Sequence, residues 1–423
     1  MVNLPLLLAD LAVLCGAFAT AAWIVFDTWL PWDAPLHGDD SIWSLLALMV
    51  VGLLAGTYLS RGMRRVNGRR PGYGHALTVV TAALVITTFG VVITRGYWSR
   101  SFLFWTSLVW LLGLLLIRAW LRRRPWVERV MIISHDSHLV ADLTESPHLA
   151  VVDVRDPAAE APASITPQTT LAIDLRSAMS DDMVEFVADW SLSGAPVSSI
   201  AALYEDHLGR VPIVHIAHGW ELSTPVARND YDSLKRILDI VFVLLMTPLW
   251  VPLGMLIWLI IRLDSPGAPI YHQTRIGRHG KRFRLHKFRT MVDNAEEDGP
   301  RFAALADPRL TRVGRMLRRF RLDELPQLVN VLLGHLSLVG PRPERPYFAE
   351  QFSDAIPLFS YRNLVRPGVT GWAQVNMGYA DDVAGTVQKL AFDLYYVKHM
   401  SIWLDLEILR RSVWTVLSGF GAR

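Results

Sequence analysis

The chain has 423 residues, of which 52% are hydrophobic and 19% are charged, and its formal net charge is +3. So apolar a composition, with a mean hydropathy of +0.28, excludes an ordinary soluble protein, because the excess lies in runs of membrane-spanning length. The small net charge gives no indication of a nucleic-acid partner. The single cysteine excludes an intrachain disulfide and a cysteine-based metal cage.

Four apolar segments near the N-terminus are predicted to be transmembrane helices. Each approaches the ~20 residues that a helix needs to cross the hydrocarbon core. The segments cover residues 4–26, 42–59, 76–93 and 102–117. No basic stretch precedes the first segment and further spans follow it, which favours a retained helix over a cleaved signal peptide. We therefore expect a four-helix membrane module over residues 1–125.

The charges around these segments predict their orientation. The connection after the second segment contains five arginines, four more follow the fourth segment, and the connection after the first is acidic. Because Lys and Arg flank spans mainly on the cytoplasmic side, the N-terminus and everything after residue 118 are expected in the cytoplasm. Asp10 is the one acidic residue within a span. Since it is close to the N-terminus, we expect it to reach the membrane interface rather than to serve a function.

Residues 126–230 are predicted to form a Rossmann-like α/β domain. Short apolar runs alternate with helical stretches such as residues 183–190, which is typical of βαβ units with a parallel sheet. The runs cover residues 130–134, 150–154, 171–175 and 197–201. The turn after the first run, residues 134–137, has no glycine, so its backbone could not approach a dinucleotide pyrophosphate closely. We expect a structural or regulatory domain without a dinucleotide motif, in which residues 203–216 form a polar loop and strand.

Residues 240–261 form an uncharged run that is long enough for a fifth span. Basic residues flank both ends, so neither end suits translocation. The flanking residues are Lys235, Arg236 and Arg262. Pro248 and Pro252 lie near the middle, where each removes a helix hydrogen bond. We therefore predict a re-entrant membrane helix over residues 235–262 that breaks at these prolines and packs against the next domain; an ordinary spanning helix is the alternative.

Residues 262–322 are strongly basic, with fifteen Lys and Arg against six Asp and Glu. Directly after a membrane-embedded helix, such a surface suits anionic lipid headgroups and phosphate-bearing ligands. Asp323 and Glu324 follow this stretch, and their cationic neighbours would keep both carboxylates ionised. An ionised Asp can attack phosphorus, and a carboxylate pair can hold Mg²⁺. A pair of this kind alone is more often a solvated helix start than a catalytic site, so the catalytic interpretation depends on the motifs around it.

Two turns rich in glycine and proline provide that context. The first, residues 340–343 with the sequence GPRP, presents Arg342. The second begins at Arg366 and continues into GWAQV at residues 371–375. Because arginine forks match phosphate oxygens, both turns are candidates for phosphate binding.

The region from residue 234 to the C-terminus resembles the bacterial polyprenyl-phosphate glycosyl-1-phosphate transferases, membrane enzymes that begin exopolysaccharide, capsule and O-antigen synthesis. The resemblance is carried, in order, by KFRTM, RLDELPQLVNVL, SLVGPRPERP, VRPGVTGWAQVN and FDLYYVKHMSIWLDLEIL. The membrane module and α/β domain resemble the long members of that family. The resemblance implies a mostly α catalytic domain over residues 231–423, a helix break at Pro252, and a cytoplasmic catalytic domain on the bacterial inner membrane.

The resemblance also implies the chemistry: transfer of a sugar-1-phosphate from a UDP-sugar to undecaprenyl phosphate, giving UMP and undecaprenyl-diphosphate-sugar. Asp323 would be the nucleophile that forms a phospho-aspartate and would also bind Mg²⁺. Glu324 would be the neighbouring acid/base or metal-supporting carboxylate. The substrate-binding residues would be Arg342, Arg366, Lys287 and Arg289. By family habit the sugar is expected to be glucose or galactose, and the middle domain offers a contact for a homodimer.

Two departures and two alternatives accompany this interpretation. His335 stands where family members often carry Asp, and Val251 where Ser often precedes the breaker proline. One alternative is a glycosyltransferase that moves the sugar alone and releases a nucleoside diphosphate. The other is a catalytically silent membrane scaffold that recruits partners through the middle domain.

Overall fold

The computed structural model describes most of the chain. The described residues are 4–30, 42–60, 73–94, 99–123, 127–162, 169–213, 231–292, 309–356, 358–377 and 383–418. The acidic connection at 31–41 and the arginine-rich connection at 61–72 lie outside these residues, so the orientation stays a prediction. The chain divides into two compact units, Met1–Ser198 with Asp206–Leu208, and Ser199–Glu205 with Gly209–Arg423.

Apolar helices form the N-terminal membrane module. They are α1 (Leu4–Phe26), α2 (Ile42–Leu59), α3 (Tyr73–Thr94) and α4 (Arg100–Arg123). Each is long and apolar enough to cross a membrane, and helix α2 packs along α3 while α1 packs along α4. A β-carbon at Gly52 would lie 2.2 Å from the Cα of Ala83, and one at Gly56 would lie 2.5 Å from the Cα of Val79. Only glycine permits so close an approach of α2 to α3.

Asp10 corrects the expectation of an interfacial side chain, because the structure buries it completely. Asp10 and Arg118 are both 0% exposed, and Arg118 Nη2 lies 2.6 Å from each carboxylate oxygen of Asp10. The Trp110 indole donates to the Asp10 carbonyl oxygen, and His75 Nε2 lies 3.3 Å from its carboxylate. The predicted fourth span ends at residue 117, before Arg118, whereas helix α4 continues to Arg123 and Arg118 pairs with Asp10.

Replacing Asp10 with Asn is expected to destabilise the membrane module by about 3–5 kcal/mol, because Arg118 would keep a buried charge without a counterion. Thermal unfolding in detergent micelles measures this change. The double variant Asp10→Asn/Arg118→Met removes both charges and should recover much of the loss. Equal stability of Asp10→Asn and wild type would show that the ion pair is not a structural element.

The middle domain is built on a parallel sheet. Its elements are β1 (Glu128–Ile133), α5 (Ser137–Thr144), β2 (Leu149–Arg155), β3 (Thr170–Ile173), α6 (Asp181–Leu192) and β4 (Val197–Ser199). The strand order is β2-β1-β3-β4, and β1 pairs in parallel with β2 and β3. Asp136 in the glycine-free turn accepts the amide hydrogen bonds of His138 and Leu139, so a side chain already caps this helix N-terminus. The absence of dinucleotide binding stays a prediction.

Helix α7 (Ile200–Leu208) replaces the predicted loop at the start of segment 203–216. Ile200, Leu203 and Tyr204 are buried, and their spacing of three and one residues places them on one helix face. The helix ends at Gly209, whose φ of 63° is the left-handed conformation that glycine adopts most easily. Residues 210–213 contain none of the predicted strand, and residues 214–216 lie outside the described residues.

The second unit is mostly helical, as predicted, and its described residues include two short sheets. Its elements are α8 (Tyr231–Leu245), α9 (Thr247–Asp264), β5 (Ile270–Ile276), β6 (Arg282–Phe288), α10 (Arg312–Arg319), α11 (Gln327–Leu332), β7 (Ser337–Val339), α12 (Pro346–Ala355), β8 (Gly368–Thr370), α13 (Trp372–Asn376), α14 (Val383–His399) and α15 (Ile402–Ser418). Strands β5 and β6 pair antiparallel, and β7 and β8 pair in parallel. This unit also includes Ser199–Glu205, where Glu205 forms ion pairs of 2.7 Å with Lys398 and His399.

The apolar run of α8 and α9 is interrupted at Met246, slightly before the predicted prolines. Pro248 lies in the first turn of α9, where a missing N–H costs little, and Pro252 lies inside that helix. The Thr247 hydroxyl and the Trp250 indole both donate to the carbonyl oxygen of Val243, at 3.1 and 3.2 Å. Side chains therefore satisfy backbone at the interruption, as an apolar environment requires.

Helix α9 has one face on protein and one face open. Ile257 and Ile261 pack with Phe288 and Leu317 in one apolar cluster. Large apolar side chains on the rest of the helix are exposed: Leu249, Met255, Leu256, Leu259 and Leu263. Such an apolar surface suits lipid rather than water.

Candidate active site

Asp323 and Glu324 lie in a single 3-10 turn, Leu322–Glu324, which follows α10. The residue before the turn, Arg321, has a φ of 55°, a left-handed conformation that costs energy for a residue with a β-carbon. The amide of Glu324 donates to the carbonyl oxygen of Arg321 and closes the turn. Both carboxylate residues are only 8% exposed, so this is a partly buried site and not a solvated helix start.

Glu324 is held by cations from three parts of the chain. Lys287 Nζ of β6 lies 3.0 Å and Arg342 Nη2 lies 2.8 Å from the same oxygen, Oε1. Arg321 Nη1 lies 4.0 Å from the other oxygen. Burial raises the pKa of Glu324, but Arg342, Lys287 and Arg321 together lower it well below its usual range. Glu324 is therefore expected to be ionised at neutral pH.

Asp323 has a different environment. Burial raises its pKa, Lys287 offsets part of this rise, and the neighbouring Glu324 anion adds to it. Within the part of the chain that the structure describes, the Asp323 carboxylate accepts no hydrogen bond. Two adjacent carboxylates with environments this different are suited to different tasks.

Lys287 and Arg342 are therefore the two predicted substrate-binding residues that the structure brings to the carboxylate pair. Burial lowers the pKa of Lys287, and Glu324 opposes that shift. Arg342 lies in the turn after β7, and two backbone bonds of 2.9 Å, Gly340 N to Thr370 O and Gly368 N to Pro341 O, tie this turn to β8. A β-carbon at Gly368 would lie 2.1 Å from the amide nitrogen of Gly340, so the two turns can meet only with glycine there.

The structure does not bring Arg289 or Arg366 to the pair. Arg289 is buried and donates to the carbonyl oxygens of Ser265 and Pro266, at the end of α9. Arg366 Nη1 lies 3.0 Å from Asp232 in α8. Both arginines hold chain segments in place, and their role as substrate ligands is not supported by this geometry.

Arg275 is a supporting residue that sequence reasoning missed, since it was counted with the lipid-facing arginines. It donates to the carbonyl oxygen of Pro343 at 2.9 Å, and burial lowers its pKa to about 10. No local pattern marks it, because the burial of β5 does not alternate and Arg275 and its neighbour Ile276 are both half-buried. His335, at the position of the missing acid, is exposed and stacks on Phe283 at 5.6 Å.

The side chains at this site could bind a magnesium ion only if the substrate supplied some of the ligands. Among the described residues, no group of three or more His, Cys, Asp or Glu side chains could hold a metal. One oxygen of Glu324 already contacts two cations, whereas the Asp323 carboxylate is open. Mg²⁺ in phosphate chemistry is held by one or two carboxylates together with waters and substrate phosphates. Asp323 fits an ion of that kind.

The second unit is similar to known proteins. The family described as bacterial sugar transferase matches residues 230–419. The chain is 44% identical over 238 residues to a UDP-N-acetylgalactosamine-undecaprenyl-phosphate N-acetylgalactosaminephosphotransferase of Aeromonas hydrophila, covering 56% of each chain. It is 44% identical over 198 residues to a UDP-glucose:undecaprenyl-phosphate glucose-1-phosphate transferase of Caulobacter vibrioides, covering 46% of this chain and 73% of that one. It is 40% identical over 182 residues to an exopolysaccharide production protein of Rhizobium leguminosarum, covering 42% of this chain and 91% of that one.

Proposed function

Because the chain belongs to the bacterial sugar transferase family, we propose that it transfers a sugar-1-phosphate from a UDP-sugar to undecaprenyl phosphate and releases UMP. This would be the first membrane step of exopolysaccharide, capsule or O-antigen synthesis. The Aeromonas and Caulobacter relatives carry names of this activity. The matched region spans about half the length of the Aeromonas relative, so the proposal depends on the site of this chain.

The contrast between Asp323 and Glu324 is the observation that carries the proposal. Glu324 is ionised and already held by Lys287 and Arg342, so it is poorly placed to attack a substrate. The neighbouring Asp323 carboxylate accepts no hydrogen bond from the described residues, and the charges of Lys287 and Arg342 act on it. A nucleophile beside two positive groups that can receive phosphate oxygens is the arrangement that phosphoryl transfer requires.

The reaction would proceed in two displacements at one phosphorus atom. An oxygen of Asp323 attacks the donor phosphorus that bears the sugar, the bond from that phosphorus to the UMP oxygen breaks, and UMP leaves. The phospho-aspartate is then attacked by an oxygen of undecaprenyl phosphate, the bond to Asp323 breaks, and the carboxylate is regenerated. Lys287 and Arg342 would balance the charge on the phosphate oxygens in both steps.

Glu324 would act through these cations rather than as an acid or base. Its pKa is well below the usual range after the opposing effects of burial and its cations, so it would not carry a proton at neutral pH. Its contribution would be to orient Lys287 and Arg342 toward the phosphate. Mg²⁺, bound through Asp323 and the donor diphosphate, would supply Lewis-acid charge neutralisation.

We also propose that α8 and α9 enter and leave the membrane on its cytoplasmic side, which keeps the second unit at the inner membrane surface. At the start of α8, Lys235 Nζ lies 2.5 Å from Asp405 of α15, and Arg236 donates to the carbonyl oxygens of Val331 and Leu332. At the other end, Ile261 of α9 packs with Phe288 of β6. Both ends of the apolar run therefore contact one unit, which favours a re-entrant path over a crossing.

Cysteines at Ser233 and Asp264, each in a Cys15→Ser background, are expected to react with a membrane-impermeant thiol reagent only from the cytoplasmic side. Inverted and right-side-out vesicles provide the two sides, and a cysteine at Trp29, beyond α1, provides the opposite-face control. Labelling of positions 233 and 264 from opposite faces would show a crossing helix.

An assay on membranes containing the protein tests the reaction itself. Membranes are given undecaprenyl phosphate, Mg²⁺ and one UDP-sugar at a time, beginning with UDP-N-acetylgalactosamine, UDP-glucose and UDP-galactose. We expect UMP and a diphosphate-linked lipid sugar. Release of UDP would instead indicate transfer of the sugar alone, and no product with any donor would favour the scaffold. A homodimer through the middle domain stays a prediction.

A further inference from the structure

Four charged side chains form a largely buried cluster, and none of them is predicted from the sequence to be catalytic, although Glu344 and Asp393 lie in motifs that carry the family resemblance. They are Glu344, Arg362, Lys389 and Asp393. Arg362 is 3% exposed; its Nη1 lies 3.2 Å from Glu344 and its Nη2 lies 2.7 Å from Asp393. Lys389 also pairs with Glu344. Because buried charges are costly even when they are paired, their presence is weak evidence for a purely stabilising role.

Another role is indicated by a third contact of the Arg362 guanidinium. Its Nη2 donates to the carbonyl oxygen of Arg342 at 2.8 Å. The side chain of the same Arg342 reaches Glu324 at 2.8 Å. One guanidinium therefore holds the backbone of the residue whose own guanidinium holds the carboxylate pair.

The contacts on the next two residues make this backbone a clamped segment. Arg275 donates to the carbonyl oxygen of Pro343, and the amide of Ile276 donates to that of Glu344, both at 2.9 Å. Hydrogen bonds from β5 and from Arg362 therefore reach three successive carbonyl oxygens of this turn, those of residues 342–344. A long arginine side chain can aim its charge accurately only if its backbone does not move.

We propose that Arg362 is a positioning residue for the reaction: it fixes the backbone of Arg342 so that the Arg342 guanidinium meets Glu324 and the substrate phosphate. This inference rests on the proposed function. We expect lysine not to replace arginine here. The planar guanidinium has several N–H donors and contacts Glu344, Asp393 and a carbonyl oxygen together, whereas the single ammonium group of a shorter lysine side chain cannot reach all three.

A double-mutant cycle separates positioning from stability. Arg362→Lys keeps the charge of the cluster and should lower kcat/KM about 10-fold through the lost charged hydrogen bond. In an Arg342→Met background, the same change should lower it less than about 2-fold, because the residue through which Arg362 acts is already gone. Equal losses in both backgrounds would overturn the proposal.

Lys389→Met is the matched control, since Lys389 belongs to the cluster but contacts Glu344 rather than the Arg342 backbone. Its effect on kcat/KM should be the same in both backgrounds. If Arg362→Lys does not fold, Asp393→Asn replaces it, because Asp393 contacts the same nitrogen that bonds Arg342. Coupling of Asp393→Asn to Arg342 supports the proposal and its absence overturns it.

Hydrogen exchange gives a readout that does not require activity. The amides of Arg342, Glu344 and Arg345 should exchange faster in Arg362→Lys than in wild type, while those of α15 should not change; Pro343, between them, has no amide hydrogen. Unchanged exchange at 342–345 would overturn the positioning role. If wild type transfers no sugar phosphate from any donor, the proposed function fails, and the exchange comparison still decides whether Arg362 clamps the turn.

Discussion

Replacing Asp323 with Asn is expected to reduce sugar-phosphate transfer by about 1,000-fold or more, because an amide cannot attack phosphorus as an ionised carboxylate does. The substitution is nearly isosteric, and the Asp323 carboxylate accepts no hydrogen bond from the described residues. The fold and the Glu324 ion pairs should therefore survive. Initial rates of UMP release measure the effect.

A single-turnover experiment distinguishes a lost nucleophile from a damaged site. Donor labelled in its sugar-bearing phosphate is mixed with the protein without undecaprenyl phosphate. Wild type should release a burst of UMP and retain the label on the protein, in a linkage that hydroxylamine cleaves. Asp323→Asn should retain none. Asp354→Asn, on an exposed face of the same unit, is the control and should match wild type; label that persists in Asp323→Asn would exclude Asp323 as the nucleophile.

Replacing Arg342 with Met should lower kcat/KM by about 100-fold at neutral pH and shift the acidic limb of the pH–rate profile to higher pH. Loss of one charge-assisted hydrogen bond accounts for the size of the fall. The direction of the shift follows because the positive charge of Arg342 lowers the pKa of both Glu324 and Asp323. Without it both pKa values rise, so a larger fraction of each carboxylate is protonated at a given acidic pH.

The same linkage affects stability. The lowered pKa of Glu324 means that its ion pairs stabilise the fold above the ordinary carboxyl pKa, and this stabilisation is lost only as pH falls through the low folded-state value. In Arg342→Met the loss should begin at higher pH. Arg282→Met is the control, because it removes the same charge from a residue that pairs with Glu350 at the surface. An acidic limb that moves equally in both variants would mean that Arg342 acts only through net charge.

Features that depend on residues close together along the chain could be predicted from the amino-acid sequence. The bounds of α1 and α2 agree with the apolar runs, because hydropathy and length decide whether a helix can lie in a membrane. The alternation of strands and helices in the middle domain follows local periodicity in the same way. Asp323 and Glu324 were found because their motif is contiguous, and the GPRP turn was found because glycine and proline restrict its backbone.

The pairing of charged side chains became clear from the fold and could not be predicted from the sequence. Arg289 and Arg366 belong to motifs as prominent as that of Arg342, yet they bind carbonyl oxygens and Asp232. Arg362 had no motif to mark it, and it holds Arg342 from the far side of the turn. Asp10 reaches a partner 108 residues away. Charge pairing acts through space at a few ångströms and is independent of separation along the chain, so composition and spacing could count these charges but could not assign their partners.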